Sequence, residues 1–360
     1  MSADAPPPGP SRRTIFFRNF GWSLASRMSV FSLRLVTVPL FARLLSPTDL
    51  GAAAATMTVV MFLIQIGSGG LNAALVIQKE EEADLWDTVF WTNMAVASLF
   101  AIGLWFGAEA VAAFLGAVEA APLLRAMALL FPMSLAVQVS LALIARRMQF
   151  HSETRWTLAA ELTAAAAAIW AAFDGWGAWA IILQQYVSAA ILLGGLGWAV
   201  GYRPRFRFVW HKLKGLLGYS FGNLGADLAN FIAFQGPLVV ITRVLGVATG
   251  GAFSLAGRVT DIPNQVLLSG LMSVLFPTFS SVADDPERKR KALLAAAGGT
   301  TAVLAPLMFG MWALAEPITA IVLGARWHWL WPSLGLLAVS KALMSPCGSF
   351  IPFMKGMGRG

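Results

Sequence analysis

Charge is what this chain has least of. Asp, Glu, Lys and Arg make up 12% of its 360 residues, against about 25% in ordinary soluble domains, while 58% of the chain is hydrophobic. A single soluble core could not hide that much apolar surface. Cysteine is nearly absent: Cys347 stands alone, which rules out an intramolecular disulfide and any multi-cysteine metal site. The three histidines, His151, His211 and His328, are scattered over predicted loops. The sequence contains no nucleophile elbow, phosphate loop, zinc-ligand spacing or glycosyltransferase-like acidic pair in a soluble segment. With no sizeable soluble segment either, it argues against an enzyme, and no cofactor or metal is expected. The opening MSADAPPPGP lacks the charged n-region and cleavage site of a signal peptide. Residues 1–18 read as a disordered cytoplasmic tail, and the first apolar segment as an uncleaved anchor.

Apolar runs are abundant. Segments of roughly 20 residues recur near 20–42, 52–77, 88–106, 122–145, 156–173, 178–200, 216–241, 252–276, 292–315 and 330–352. They predict an all-α polytopic membrane protein of about ten transmembrane helices. The net charge of +8 could suggest nucleic acid, but its distribution argues otherwise. With the N-terminus inside, eighteen Lys and Arg fall on cytoplasmic stretches, including Arg146, Arg147, Arg203–Lys214 and Arg288–Lys291. The opposite side receives only Arg43, Arg243 and Arg326, with Arg125 just inside a helix there. This asymmetry predicts that both termini are cytoplasmic. Nine tryptophans near helix ends, Trp86, Trp91, Trp156, Trp176, Trp179, Trp210, Trp327, Trp329 and Trp331, read as interfacial anchors. The loop RPRFRFVWHKLK (Arg203–Lys214) alternates cations and aromatics and is expected to meet anionic headgroups rather than nucleic acid.

The chain also matches itself at an offset of 200. Arg43-Leu44-Leu45 before Gly51 returns as Arg243-Val244-Leu245 before Gly251. Gly70-Leu71 matches Gly270-Leu271, Asp84 matches Asp284, and Pro132 matches Pro332. Six helices per unit keep both copies in the same orientation, as parallel lobes around an axis along the membrane normal. The expected organisation is a six-helix lobe over 19–200, a basic linker over 201–215 and a four-helix, incomplete second lobe over 216–360. On that reading further helices are missing after Gly360.

A few polar residues interrupt the apolar segments. Arg27 and Arg34 lie seven residues apart in the first segment and so share one helix face. A charge near mid-membrane costs at least about 2.5 kcal/mol, so such residues usually face a wet cavity or a partner. Alternatively, Arg27 snorkels to the inner headgroups and Arg34 pairs with a buried carboxylate. Asn223, Asp227 and Asn230 form one stripe on the seventh helix. Asp227 is the offset counterpart of Arg27, which suggests an inter-lobe ion pair, a coupling-ion site or a plain polar contact within one lobe. Arg258, Asp261 and Gln265 lie on the eighth helix, where Arg258 and Asp261 are spaced to pair with each other. Glu161, Gln138, Gln184, Gln185 and Lys341 are further cavity candidates.

Several stretches carry a family resemblance by their order and spacing: ARLLSPTDLG (Ala42–Gly51), RRMQF (Arg146–Phe150), GWGAWAIILQQ (Gly175–Gln185), TRVLG (Thr242–Gly246), LAGRVTDIPNQV (Leu255–Val266), VLFPTFSSV (Val274–Val282) and GARWHWLWPSL (Gly324–Leu334). Together they resemble the bacterial polysaccharide and lipopolysaccharide exporters of the multidrug/oligosaccharidyl-lipid/polysaccharide superfamily. The resemblance implies an inner-membrane flippase for a polyprenyl-pyrophosphate-linked oligosaccharide, working by alternating access alongside a polysaccharide polymerase and export machinery. For such a cargo, Arg27, Arg34 and Arg258 are the candidate pyrophosphate ligands, and Asp227, Asn223, Asn230, Asp261 and Glu161 the candidate coupling or inter-lobe groups. Rival readings are a cation-coupled drug exporter of the same superfamily, whose cavity should be acidic, and a non-transporting component of a glycan assembly complex. A membrane-embedded polymerase or ligase would need a larger outside loop than 107–121 or 316–329.

Overall fold

The computed structural model describes residues 31–68, 70–71, 75, 83–147, 149–281 and 286–349. Side chains at 150, 212, 215–223, 226, 266–281, 286, 288–289 and 348–349 are not described. Residues 1–30, and with them Arg27 and the N-terminal tail, lie outside the described residues.

The chain is an all-α polytopic membrane protein. Its helices are α1 (31–44), α2 (Pro47–Ser68), α3 (Ala83–Leu115), α4 (Ala121–Ala128), α5 (Leu130–Arg146), α6 (Phe150–Phe173) and α7 (Trp179–Val200). They continue as α8 (Trp210–Leu245), α9 (Val247–Ser281), α10 (Pro286–Ala313), the short α11 (Ala315–Ile318) and α12 (Trp331–Met344). Within the described residues, each of the ten apolar segments falls mainly on one of these helices, or on a bent pair of them. Among the described residues six helices are each long and apolar enough to cross a membrane, and a seventh span results if the bent pair α4–α5 counts as one.

That pair bends by 50° at Leu129, three residues before Pro132. Proline has no N–H for the carbonyl four residues back, and its ring crowds that carbonyl. Pro332 likewise sits in the first turn of α12. α8 starts at Trp210, inside the stretch expected as linker. Leu213, which is buried, gives that first turn an apolar anchor.

Outer faces are apolar: Phe106 and Trp198 are each 80% exposed, as suits a hydrocarbon solvent. The interior relies on small residues. On α2 the run from Gly51 to Thr56 is entirely buried, which lets α9 approach backbone to backbone. Within the first half α6 packs on α7 and α5 on α7; within the second, α10 packs on α12 and α9 on α8. The halves meet where α2 packs on α8 and α9, and α3 on α8. Two tryptophans expected as interfacial anchors are instead core residues. Trp86 is 2% exposed and Trp327 fully buried, its indole N–H donating to the Ala42 carbonyl at 2.6 Å.

Candidate functional site

Between the halves lies a cavity of about 650 Å³. Arg34 and Thr37 reach it from α1, Thr58 from α2, Glu161 from α6, and Gln184 and Gln185 from α7. Gln235 on α8 and Ser340 and Lys341 on α12 line it from the second half. α9 contributes Ser254, Arg258, Asp261 and Gln265, spaced as one helical stripe. Residues 200 apart recur in this lining: 33 with 233, 34 with 234, 37 with 237, 38 with 238, 54 with 254, 57 with 257, 58 with 258 and 61 with 261. Helices α1 and α2 therefore face the cavity with the same register as α8 and α9.

The charged groups are partitioned. Lys341 Nζ is 2.6 Å from Asp261 Oδ1 and donates to Thr260 Oγ1 at 2.6 Å and to the Gly257 carbonyl at 3.4 Å. The Arg258–Asp261 pair expected on one helix is thus replaced by a cross-helix pair. A compact ammonium on α12 reaches three acceptors on α9, which helix spacing alone does not reveal. Arg34 and Arg258 enter the cavity from opposite halves, and neither has a hydrogen-bond or carboxylate partner among the described residues. The other expected residues are placed differently. Asp227 is half-buried and Asn230 exposed, and neither lines the cavity; the Asn223 side chain lies outside the described residues. Gln138 is also outside the lining, while Gln184, Gln185 and Glu161 are in it.

One end of the interface is sealed. Gly51 and Gly251 stack so closely that a Cβ on Gly51 would overlap the Val247 carbonyl, and one on Gly251 the Pro47 carbonyl. The contact is reciprocal at the offset, 51 on 247 and 251 on 47. Three arginines lock it. Arg43 donates to the Ile321 carbonyl at 3.0 Å. Arg243 donates to the Ala113 carbonyl at 2.7 Å and lies over the Phe114 ring. Arg326 donates to the Ala42 and Leu45 carbonyls at 2.6 and 2.7 Å, capping the orphan acceptors at the end of α1. These are the three cations that the charge count left alone on one side. Their isolation there was the available signal, but the sequence reading gave them no role. Thr37, Thr58, Gln235, Ser254 and Ser340 were also missed, being neutral residues without a motif.

Comparison with known proteins places this geometry. The family model described as polysaccharide biosynthesis protein matches residues 40–332. The succinoglycan biosynthesis transport protein ExoT of Rhizobium meliloti (strain 1021) is 48% identical over 343 residues, covering 95% of this chain and 69% of that protein. The lipopolysaccharide biosynthesis protein WzxC of Escherichia coli (strain K12) is 23% identical over 341 residues, covering 92% and 68%. Among solved structures, the lipid II flippase MurJ in an inward closed conformation shares the fold, with a TM-score of 0.76 over 95% of this chain and 76% of its own, at 16% identity.

Proposed function

The chain belongs to the polysaccharide biosynthesis protein family; on that premise we propose that it is a flippase of the multidrug/oligosaccharidyl-lipid/polysaccharide superfamily that carries a polyprenyl-pyrophosphate-linked oligosaccharide across the bacterial inner membrane. The observation that carries the substrate reading is the pair Arg34 and Arg258. Two guanidiniums from opposite halves enter one cavity with no protein acceptor among the described residues. Guanidinium forks match phosphate oxygens in bidentate geometry, and a diphosphate offers oxygens to both walls at once. Gln184, Gln185, Gln235 and Ser254 supply neutral donors and acceptors suited to sugar hydroxyls. Asp261 is already engaged by Lys341, which weakens the rival reading as an exporter of cationic drugs.

The same arrangement supports alternating access. Because the Gly51–Gly251 seal closes one end of the interface, transport requires the halves to part there. The arginine latches hold backbone carbonyls rather than carboxylates, so they can release without exposing a buried anion. A diphosphate joining Arg34 to Arg258 would couple cavity occupancy to the approach of the two halves. In this proposal both termini are cytoplasmic, and Asp227 and Asn230 on α8 bind the coupling ion.

Native mass spectrometry of the purified chain tests the substrate reading. A polyprenyl-pyrophosphate glycolipid is compared with the same glycolipid lacking phosphate. Expected is a preference for the diphosphate that falls about tenfold or more in Arg34→Ala and again in Arg258→Ala, the scale of a lost charged hydrogen bond. Equal binding of the two lipids, or no change in either variant, would remove the diphosphate from the proposal.

A further inference from the structure

The loop between α7 and α8 forms a second built surface, outside the cavity. Hydrogen bonds, an ion pair and a ring stack hold it against the first turns of α3. Tyr202 Oη donates to Asp87 Oδ1 at 2.7 Å, and the Arg205 N–H donates to the same oxygen at 3.2 Å. The Val209 N–H donates to Thr88 Oγ1 at 3.0 Å, and Trp91 Nε1 donates to the Arg205 carbonyl at 2.8 Å. Arg207 pairs with Asp84 at 2.8 Å, and the Trp91 and Phe206 rings stack at 4.2 Å. Asp87 is only 2% exposed. Burial, and then the bond to Asp87, push the Tyr202 phenol well above its usual range, so it stays protonated and keeps donating.

What the loop turns outward has a different character. Arg203 and Arg205 are exposed and have no side-chain partner among the described residues. Phe206, Phe208 and Trp210 are 87%, 56% and 61% exposed. Aromatic rings beside cations, at the ends of two membrane helices, match the boundary between acyl chains and headgroups. A free anion would use the arginines and leave the three rings in water. An anionic phospholipid uses both.

We propose that residues 202–210 form a pinned strap that binds anionic phospholipid headgroups through Arg203 and Arg205, and that Asp87 is its positioning residue. The consequence runs against simple charge counting. Asp87 is an acid beside an anion-binding surface, yet it favours lipid binding because it fixes the backbone that presents the arginines. Ordering that loop afresh for each lipid would cost conformational entropy, and Asp87 removes the cost in advance.

The test uses the full chain in nanodiscs of phosphatidylcholine with a minor fraction of phosphatidylglycerol, and native mass spectrometry reads the lipid retained. Arg203→Ala with Arg205→Ala is expected to weaken retention about thirtyfold, or about fivefold per residue. Asp87→Ala raises the net charge, so charge counting predicts tighter retention; the pinned strap predicts at least threefold weaker retention. Tyr202→Phe, which leaves charge unchanged, is expected to weaken retention in the same direction and decides the matter if Asp87→Ala fails to fold. Retention at or above the parent level in the Asp87 and Tyr202 variants would overturn the proposal, as would no effect of the arginine pair. Displacement of the lipid by millimolar inorganic phosphate would reassign the surface to free anions and overturn it too.

Discussion

The two walls of the cavity, α1–α2 and α8–α9, show residues 200 apart to the same space but differ in charge. Arg34 faces it from one wall where the other has Phe234; Arg258 faces it where the first has Thr58; Asp261 where the first has Met61. At the seal the walls are alike, with Gly51 against Val247 and Gly251 against Pro47. The contrast separates two kinds of constraint. Where backbones touch, neither copy can carry a side chain, so both keep glycine. Where the walls stand apart, side chains are free to diverge, and each wall carries one guanidinium, at positions that are not offset counterparts. The packing keeps the repeat; the chemistry has departed from it.

The largest effect is expected at the seal. Gly51→Leu places a side chain where another backbone already lies, and such overpacking costs about 1–3 kcal/mol or more. The halves should then stay parted on that side and export should cease. With Cys347 replaced and Ser254→Cys as reporter, a membrane-impermeant thiol reagent added from the sealed side should label the cavity only in the Gly51 variant. Gly251→Leu should behave alike; an effect at one glycine alone would break the reciprocity. The next effect tests the divergent positions. Arg34→Phe should weaken diphosphate-lipid binding by about 1.5–3 kcal/mol. Adding Phe234→Arg moves the charge to the counterpart position, and partial recovery is expected if the walls are interchangeable in shape. No recovery, with folding intact, would mean that the wall from which the charge enters the cavity matters as much as its presence.

How far the sequence reveals these features depends on whether they are local. Helix positions follow from apolar runs, and the placing of Arg258, Asp261 and Gln265 on one face follows from helical spacing. The offset in Arg43 and Arg243, and in Gly51 and Gly251, was visible as well. Spacing fixes which face of a helix a residue occupies, but not what meets that face. Lys341 was visible only as a lone cation, and its bond to Asp261 depends on how α12 packs on α9. Trp327 looked like an interfacial anchor because it lies near a helix end, but the open carbonyl of Ala42 draws it into the core. Asp87 showed no motif, and its role comes from a loop more than a hundred residues later in the chain. Asp227 and Asn230 form a polar stripe by spacing, yet α8 turns other residues, Gln235 among them, into the cavity.

The turns leading into α2 and α9 are offset counterparts built differently, and exchanging their residues should have unequal results. Gly246 has φ of 92° and ψ of 165°, a region that is essentially glycine-only. Gly246→Ser should therefore cost about 1–3 kcal/mol, although serine is the residue found at the equivalent place in the other copy.

The reverse exchange should be the mildest change of all. Ser46 Oγ accepts the Asp49 N–H at 3.1 Å, while Asp49 Oδ2 accepts the Ser46 N–H at 3.2 Å, a reciprocal cap on the start of α2. The Ser46 carbonyl already accepts the first helical bond, from the Leu50 N–H at 3.1 Å. Ser46→Gly removes only the hydroxyl. Asp49 keeps the residue-46 N–H, and it keeps the Ala178 N–H at 3.2 Å that ties α2 to the start of α7. Glycine is itself an acceptable N-cap, a few tenths of a kcal/mol worse than serine. The thermal midpoint in detergent should fall by no more than a few degrees, with export unchanged. A loss as large as that of Gly246→Ser would mean that the hydroxyl carries the turn, and that the two copies hold their seal by the same means after all.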